Sequence, residues 1–195
     1  MRERSGATVE TILQAAGQVF ARHGYEAGTT DRIADRAGVS LGTVHELFAD
    51  KDAILVALVE RHLDDAQRAL TPLLTDLVTQ SPPVEEGVGR MLRALVDLHR
   101  THPALHRVFF EEAPRPEPLR HRVDRTVAAA VAAVTGYLQR RPEVKVPDLG
   151  LAAQLVVQIS ESVVHGLVIS PRDGADPDAY VRETERMLVR YLTGR

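Results

Sequence analysis

The 195-residue chain has no cysteine and no tryptophan, and aromatic residues make up only 4% of it. The lack of cysteine excludes disulfides, thiolate metal sites and a thiol nucleophile, and it fits a reducing compartment. Scarce aromatics weigh against an extensive sheet, because strands enrich aromatic and β-branched residues. No apolar run approaches the ~20 residues that a membrane helix needs. The opening MRERSGATVE lacks the apolar stretch of a signal peptide, so a soluble, cytoplasmic protein without membrane contact is expected. A basic excess is also missing: the formal net charge is −3. Residues 1–51 hold six basic residues (Arg2, Arg4, Arg22, Arg32, Arg36, Lys51) against seven acidic ones (Glu3, Glu10, Glu26, Asp31, Asp35, Glu46, Asp50). Nucleic-acid binding would therefore depend on where charges sit, not on how many there are.

What is present is helical periodicity. Leu, Val and Ala carry most of a 44% apolar fraction, and about nine stretches place apolar residues at helical spacing. The first runs from about Ala7 to His23 and stops at Gly24. Two short helices follow, Thr30–Ala37 and Leu41–Phe48. Asp50 then caps a long fourth helix reaching about Val78, with a bend expected near Pro72. A fifth helix spans about Val84–Arg100 and a sixth runs from Pro103 to near Glu112. Residues 114–118 read as loop. The last three helices span about Leu119–Gln139, Asp148–Leu167 and Asp178–Leu192. The expected fold is all-α.

Residues 29–48 read as a helix-turn-helix, and residues 30–49 meet its geometric needs in register. Thr29 and Ser40 suit the two N-caps, Gly38 suits a left-handed turn, and Ala34 permits close approach. Ile33, Ala37, Val39, Val44 and Leu47 fall on the inward faces. The outward face of the second helix is Leu41, Gly42, Thr43, His45 and Glu46. Leu41 and the Thr43 methyl suit thymine methyl groups, Gly42 allows close approach, and Glu46 suits a cytosine amino group. His45 and Lys51 suit phosphate contacts. Thr29, Thr30, Arg32 and Ser40 complete the expected DNA-binding set.

The run from Thr11 to Leu55 closely resembles the N-terminal domain of the TetR/AcrR family of bacterial transcriptional regulators. The match is carried by Ile12, Leu13, Ala15, Ala16, Phe20, Gly24, Tyr25, Thr29, Ile33 and Ala34. It continues through Ala37, Gly38, Val39, Ser40, Gly42, Thr43, Phe48 and Lys51. His45 departs from it, standing where the family usually has a phosphate-contacting tyrosine, and Leu47 stands where a second aromatic is common. An imidazole at position 45 would make the contact pH-sensitive if protonated, or act as a neutral donor. The resemblance implies a DNA-binding domain over residues 1–51 and a helical effector-binding and dimerisation domain over 52–195. It implies a homodimer on a palindromic operator, released by a small-molecule effector. A regulator without such an effector, partnered by a protein or acting as an activator, is the alternative.

The second half carries less specific signals. The broad apolar surface of the eighth helix suggests a subunit interface as well as a core. With the last helix, it gives Leu155, Ile159, Val163, Tyr180, Thr184, Met187, Leu188 and Tyr191 as dimer residues. Met91, Leu95, Phe109, Phe110, Val127 and Val131 are candidates for an apolar ligand site, with His99, Gln158 and Ser162 as polar members. Such a lining suits a hydrophobic small molecule or acyl compound, and plain core packing is the alternative for each residue. His99, His102 and His106 recur near helical spacing, but Pro103 interrupts them, so neither a metal nor a cofactor is expected. No nucleophile elbow or glycine-rich phosphate loop is present. Ala49 replaces the second histidine that a zinc-protease signature after His45-Glu46 would need, so no enzyme is expected.

Overall fold

The computed structural model describes residues 2–101, 103–114, 116–168 and 176–195. Among them are nine α-helices and no strand: α1 (Arg2–Ala27), α2 (Thr30–Ala37), α3 (Leu41–Leu47), α4 (Lys51–Gln80), α5 (Val84–Arg100), α6 (Pro103–Arg107), α7 (Glu117–Leu138), α8 (Leu149–Val168) and α9 (Pro177–Thr193). The fold is all-α, as the residue spacing predicts.

Local chemistry sets most of the helix limits. Gly24 has φ 75° and ψ 173°, so α1 kinks there and one further turn follows the expected stop. The Asp50 carboxylate accepts from the Ala53 N–H at 2.8 Å and caps α4. Helix α4 runs on through Pro72 to Gln80. The expected loop over 114–118 is shorter than anticipated, because α7 already begins at Glu117. A proline in a first helical turn lacks only an N–H that has no helical partner there. The expected sixth helix is two elements. After α6, residues Val108–Glu112 form one π-helical turn, closed by the Ala113 N–H donating to the Val108 carbonyl at 2.9 Å.

The chain divides into two compact units. The first comprises Met1–Asp64 and Ala104–His121, the second Asp65–Pro103 and Arg122–Arg195. This differs from a single boundary after residue 51, because burial follows packing partners and not chain order. Ile54, Leu55 and Leu58 of α4 and Val108 of the π turn join Ile12, Ala16, Phe20, Ile33 and Val44 in the first core. In the second unit α5, α8 and α9 pack together around Leu92, Val156, Val164, Leu188 and Leu192. Among the described residues, no helix is long and apolar enough to cross a membrane.

Candidate nucleic-acid interface

The α2–α3 pair is built from both ends. The Thr29 hydroxyl accepts from the Arg32 N–H at 3.3 Å and starts α2. Gly38 ends α2 at φ 69°, ψ 30°, a left-handed conformation that costs little only for glycine. The Ser40 hydroxyl then accepts from the Thr43 N–H at 3.0 Å and starts α3. Ser40 Oγ and Thr43 Oγ1 also lie 2.9 Å apart, which ties the Thr43 hydroxyl to the cap. Ile33, Ala34 and Val44 are buried, while Ala37, Val39 and Leu47 are half-buried against the same core. The expected inward face is therefore the packed one.

The opposite face of α3 is open. Leu41, Gly42, His45 and Glu46 are exposed and Thr43 is half-buried. Of the flanking residues, Thr29, Arg32 and Ser40 are exposed and Thr30 is half-buried. Two nearby cations are held by the protein itself. The Arg32 guanidinium donates to the Ala27 carbonyl at 2.9 Å, and Arg36 Nε donates to Gln18 Oε1 at 2.5 Å.

Lys51, the expected phosphate contact, has partners within its own chain. Its ammonium donates to the Tyr25 carbonyl at 3.1 Å and lies 4.0 Å from the centre of the Tyr25 ring. The Tyr25 phenol in turn donates to Asp52 Oδ1. Burial, followed by the bond to Asp52 and its charge, pushes this phenol above the ordinary tyrosine range. Glu112, at the end of the π turn, accepts from the Tyr25 N–H at 3.0 Å, an amide that the Gly24 kink releases from the helix ladder. Sequence spacing gives no hint of this last contact, because the partners are 87 residues apart.

The expected ligand residues divide between the two units. Phe109 and Phe110 belong to the first unit. There the His106 ring stacks with Phe110, and the His62 ring meets both His106 and Phe109. In the second unit Met91, Leu95 and His99 are buried, Val131 is half-buried, and Val127, Gln158 and Ser162 are exposed. A helical period identifies a face, not the unit that covers it.

The dimer set also divides. Thr184 and Leu188 are buried within their own subunit, and the Thr184 hydroxyl is satisfied by the Tyr180 carbonyl at 2.8 Å. They follow the core-facing side of α9 and are not available to a partner. Tyr180, Met187 and Tyr191 lie on its other side, 44%, 47% and 42% exposed. Leu155, Ile159 and Val163 of α8 are half-buried.

His102 lies outside the described residues, and His99 and His106 fall in different units. His99 faces Glu161 and His165 of α8. Burial holds the His99 imidazole below the ordinary histidine range, against the opposing pull of Glu161 and the Leu95 carbonyl.

These features have counterparts in known proteins. Residues 12–58 match the family described as bacterial regulatory proteins, tetR family, and residues 83–192 match the tetracyclin repressor-like C-terminal domain. The helix-turn-helix-type transcriptional regulator YhgD of Bacillus subtilis is 33% identical over 106 residues, 52% of this chain. The match spans about half of that relative's own length (51%). A transcriptional regulator from Rhodococcus superposes with a TM-score of 0.74 at 19% identity, over 94% of this chain and 95% of the other. The regulator FadR from Bacillus subtilis, solved with stearoyl-CoA, superposes with a TM-score of 0.72 at 22% identity, over 94% and 98%. With an N-terminal match from within α1 to the first turns of α4 and a C-terminal match over more than half its length, the chain belongs to the TetR family of bacterial regulatory proteins.

Proposed function

We propose that the chain is a DNA-binding transcriptional regulator and not an enzyme, and that it reads its operator with the exposed face of α3. The observation that carries this reading is the asymmetry of that short helix: Val44 is fully buried while Leu41, Gly42, His45 and Glu46 face solvent. A helix seated in this way presents its first turn to base edges in a major groove. Leu41 and Thr43 would meet thymine methyl groups, His45 a phosphate, and Glu46 a cytosine amino group. Thr29, Thr30, Arg32 and Ser40 flank that face.

In this reading the regulator is a homodimer on a palindromic site. The partly exposed apolar residues of α8 and the Tyr180, Met187 and Tyr191 side of α9 would form the contact. The two α3 helices must then stand about one DNA turn apart, ~34 Å. An apolar effector would favour a conformer in which that spacing fails. A differential affinity of ~1–3 kcal/mol gives a partial switch, and fuller release needs more.

The second unit has a cavity of about 210 Å³ lined by Val96, Arg100, Pro103, Leu167 and Pro177. Ligand clefts usually hold ~300–1,000 Å³, so an acyl effector such as the stearoyl-CoA bound by FadR would have to part these helices on entry. The effector would couple to release because the parted form is also the one that fits the operator less well. The test is retention of genomic DNA fragments by the purified chain, repeated with long-chain acyl-CoA. Specific retention of an inverted repeat, weakened by the acyl-CoA, is expected. Retention without sequence preference would refute operator reading, and specific retention indifferent to acyl compounds would refute the effector class.

A further inference from the structure

His99 and His165 meet ring to ring in the second unit. His99, on the last turn of α5, is 4% exposed. Its Nδ1 lies 2.8 Å from the Leu95 carbonyl oxygen. A carbonyl can only accept, so Nδ1 carries the proton and Nε2 of the neutral ring is the acceptor nitrogen. This is the arrangement that orients a metal-ligating histidine, whose other nitrogen is held by a carbonyl or carboxylate.

His165 Nε2 lies 2.9 Å from His99 Nε2. Glu161 precedes His165 by one helical turn on the same face of α8. Its Oε2 is 3.3 Å from His165 Nε2 and 3.6 Å from His99 Nε2. A tetrahedral ion that holds nitrogen and oxygen at ~2.0–2.1 Å sets its ligands ~3.3 Å apart. The three donor atoms already form a triangle of that size. Two facing imidazole nitrogens also need a proton or a cation between them, since two lone pairs repel. Among the described residues, this is the one cluster of histidine and carboxylate groups with metal-ligand spacing.

We propose that His99, Glu161 and His165 form a binding site for a divalent transition-metal ion of the zinc class. Two imidazoles and one carboxylate suit such an ion, whereas magnesium and calcium prefer all-oxygen sets. His99 anchors the site from the buried side, while Glu161 and His165 are half-exposed and supply the path of entry. Three protein ligands leave one position for water or a small ligand, unlike closed structural zinc sites with four. The ion would bridge α5 to α8 and so stabilise the second unit. The site does not depend on how the chain reads DNA.

The untagged full chain, stripped with chelator and dialysed, is titrated with Zn²⁺ and with Co²⁺, and ions per chain are counted by native mass spectrometry. One ion per chain, visible d–d absorption with Co²⁺ and a raised melting temperature with Zn²⁺ are expected, with no response to Mg²⁺. Glu161→Gln and His165→Gln sit at half-exposed positions and should fold. Each should lose more affinity than the ~10–100-fold typical of removing an outer-shell partner. Failure of the wild type to bind Zn²⁺ would overturn the proposal. Wild-type affinity in both variants would also overturn it, by placing the ion elsewhere. Operator binding is not the readout, so either failure leaves the DNA-reading proposal standing.

Discussion

The ammonium of Lys51 rests 4.0 Å from the centre of the Tyr25 ring and donates to the carbonyl of the same tyrosine. The first residue of α4 is thereby fastened to the end of α1. A cation over an aromatic face with a charge-assisted bond to a carbonyl contributes to folding before any DNA is present. Lys51→Ala is expected to cost about 1–2 kcal/mol of stability in urea denaturation. It should leave the slope of log affinity against log salt unchanged. A phosphate contact would instead reduce that slope by ~1 when removed, so the salt dependence of operator binding decides between the two roles.

Glu143 holds the start of α5. Its carboxylate accepts from the Val84 N–H at 3.1 Å and from two nitrogens of Arg141. Burial alone would raise its pKa, but bonds from its own backbone, from Arg141 and from Val84 outweigh burial and hold it below the ordinary carboxylate range. A lowered folded-state pKa contributes stability above the unfolded value, ~4.3 for glutamate, and loses it as pH falls through the folded one. Glu143→Gln should therefore be less stable than wild type by about 1 kcal/mol at pH ~7, because its amide oxygen still accepts from Val84 but no longer carries the charge that strengthens the Arg141 bonds. Thermal melts taken down through the carboxylate range should show the two proteins converge.

Gly87 is packed against a side chain of α7. A β-carbon there would fall on the Tyr137 hydroxyl, which donates to the Pro82 carbonyl at 2.8 Å. Burial pushes this phenol up to about 12, so it remains a donor at neutral pH. Gly87→Ala should destabilise by about 1–3 kcal/mol through overpacking. Tyr137→Phe removes the atom met first, so the double variant should lose less than the sum of the two single ones. A double-mutant cycle in urea measures this coupling, and strict additivity would show that the two sites do not touch.

The helix-turn-helix was largely legible in the sequence because its determinants are local. Thr29, Gly38 and Ser40 act within three or four residues of themselves, and Ile33 and Val44 fall on a short helical period. Contacts between distant segments were not legible. Nothing in the spacing ties Glu112 to Tyr25, or His99 to Glu161 and His165, because only packing brings those segments together. Periodicity misassigned Thr184 and Leu188 for a related reason: both sides of α9 carry apolar residues, and only the fold shows which side its own core takes. Phe109 and Phe110 share an apolar character with Met91 and Leu95, yet the two pairs lie in different compact units, which residue type does not reveal.

Tyr180, Met187 and Tyr191 leave an apolar strip on α9. If that strip is the subunit contact, Met187→Glu places a charge in it without touching the buried Leu188 and Leu192. Sedimentation should show the dimer dissociating at concentrations at least tenfold higher than wild type, with an unchanged helical circular dichroism spectrum. An unchanged dissociation constant would move the interface off this face.

The reading face of α3 is tested most directly by operator footprinting with wild type and with a Thr43→Ala, His45→Ala double variant. The variant should fold, since Thr43 is half-buried and His45 exposed. Protection of an inverted repeat by wild type, with affinity falling at least tenfold in a variant of unchanged melting temperature, is the expected result. A wild-type footprint at wild-type affinity in the double variant would contradict it, and so would the absence of any sequence-specific protection.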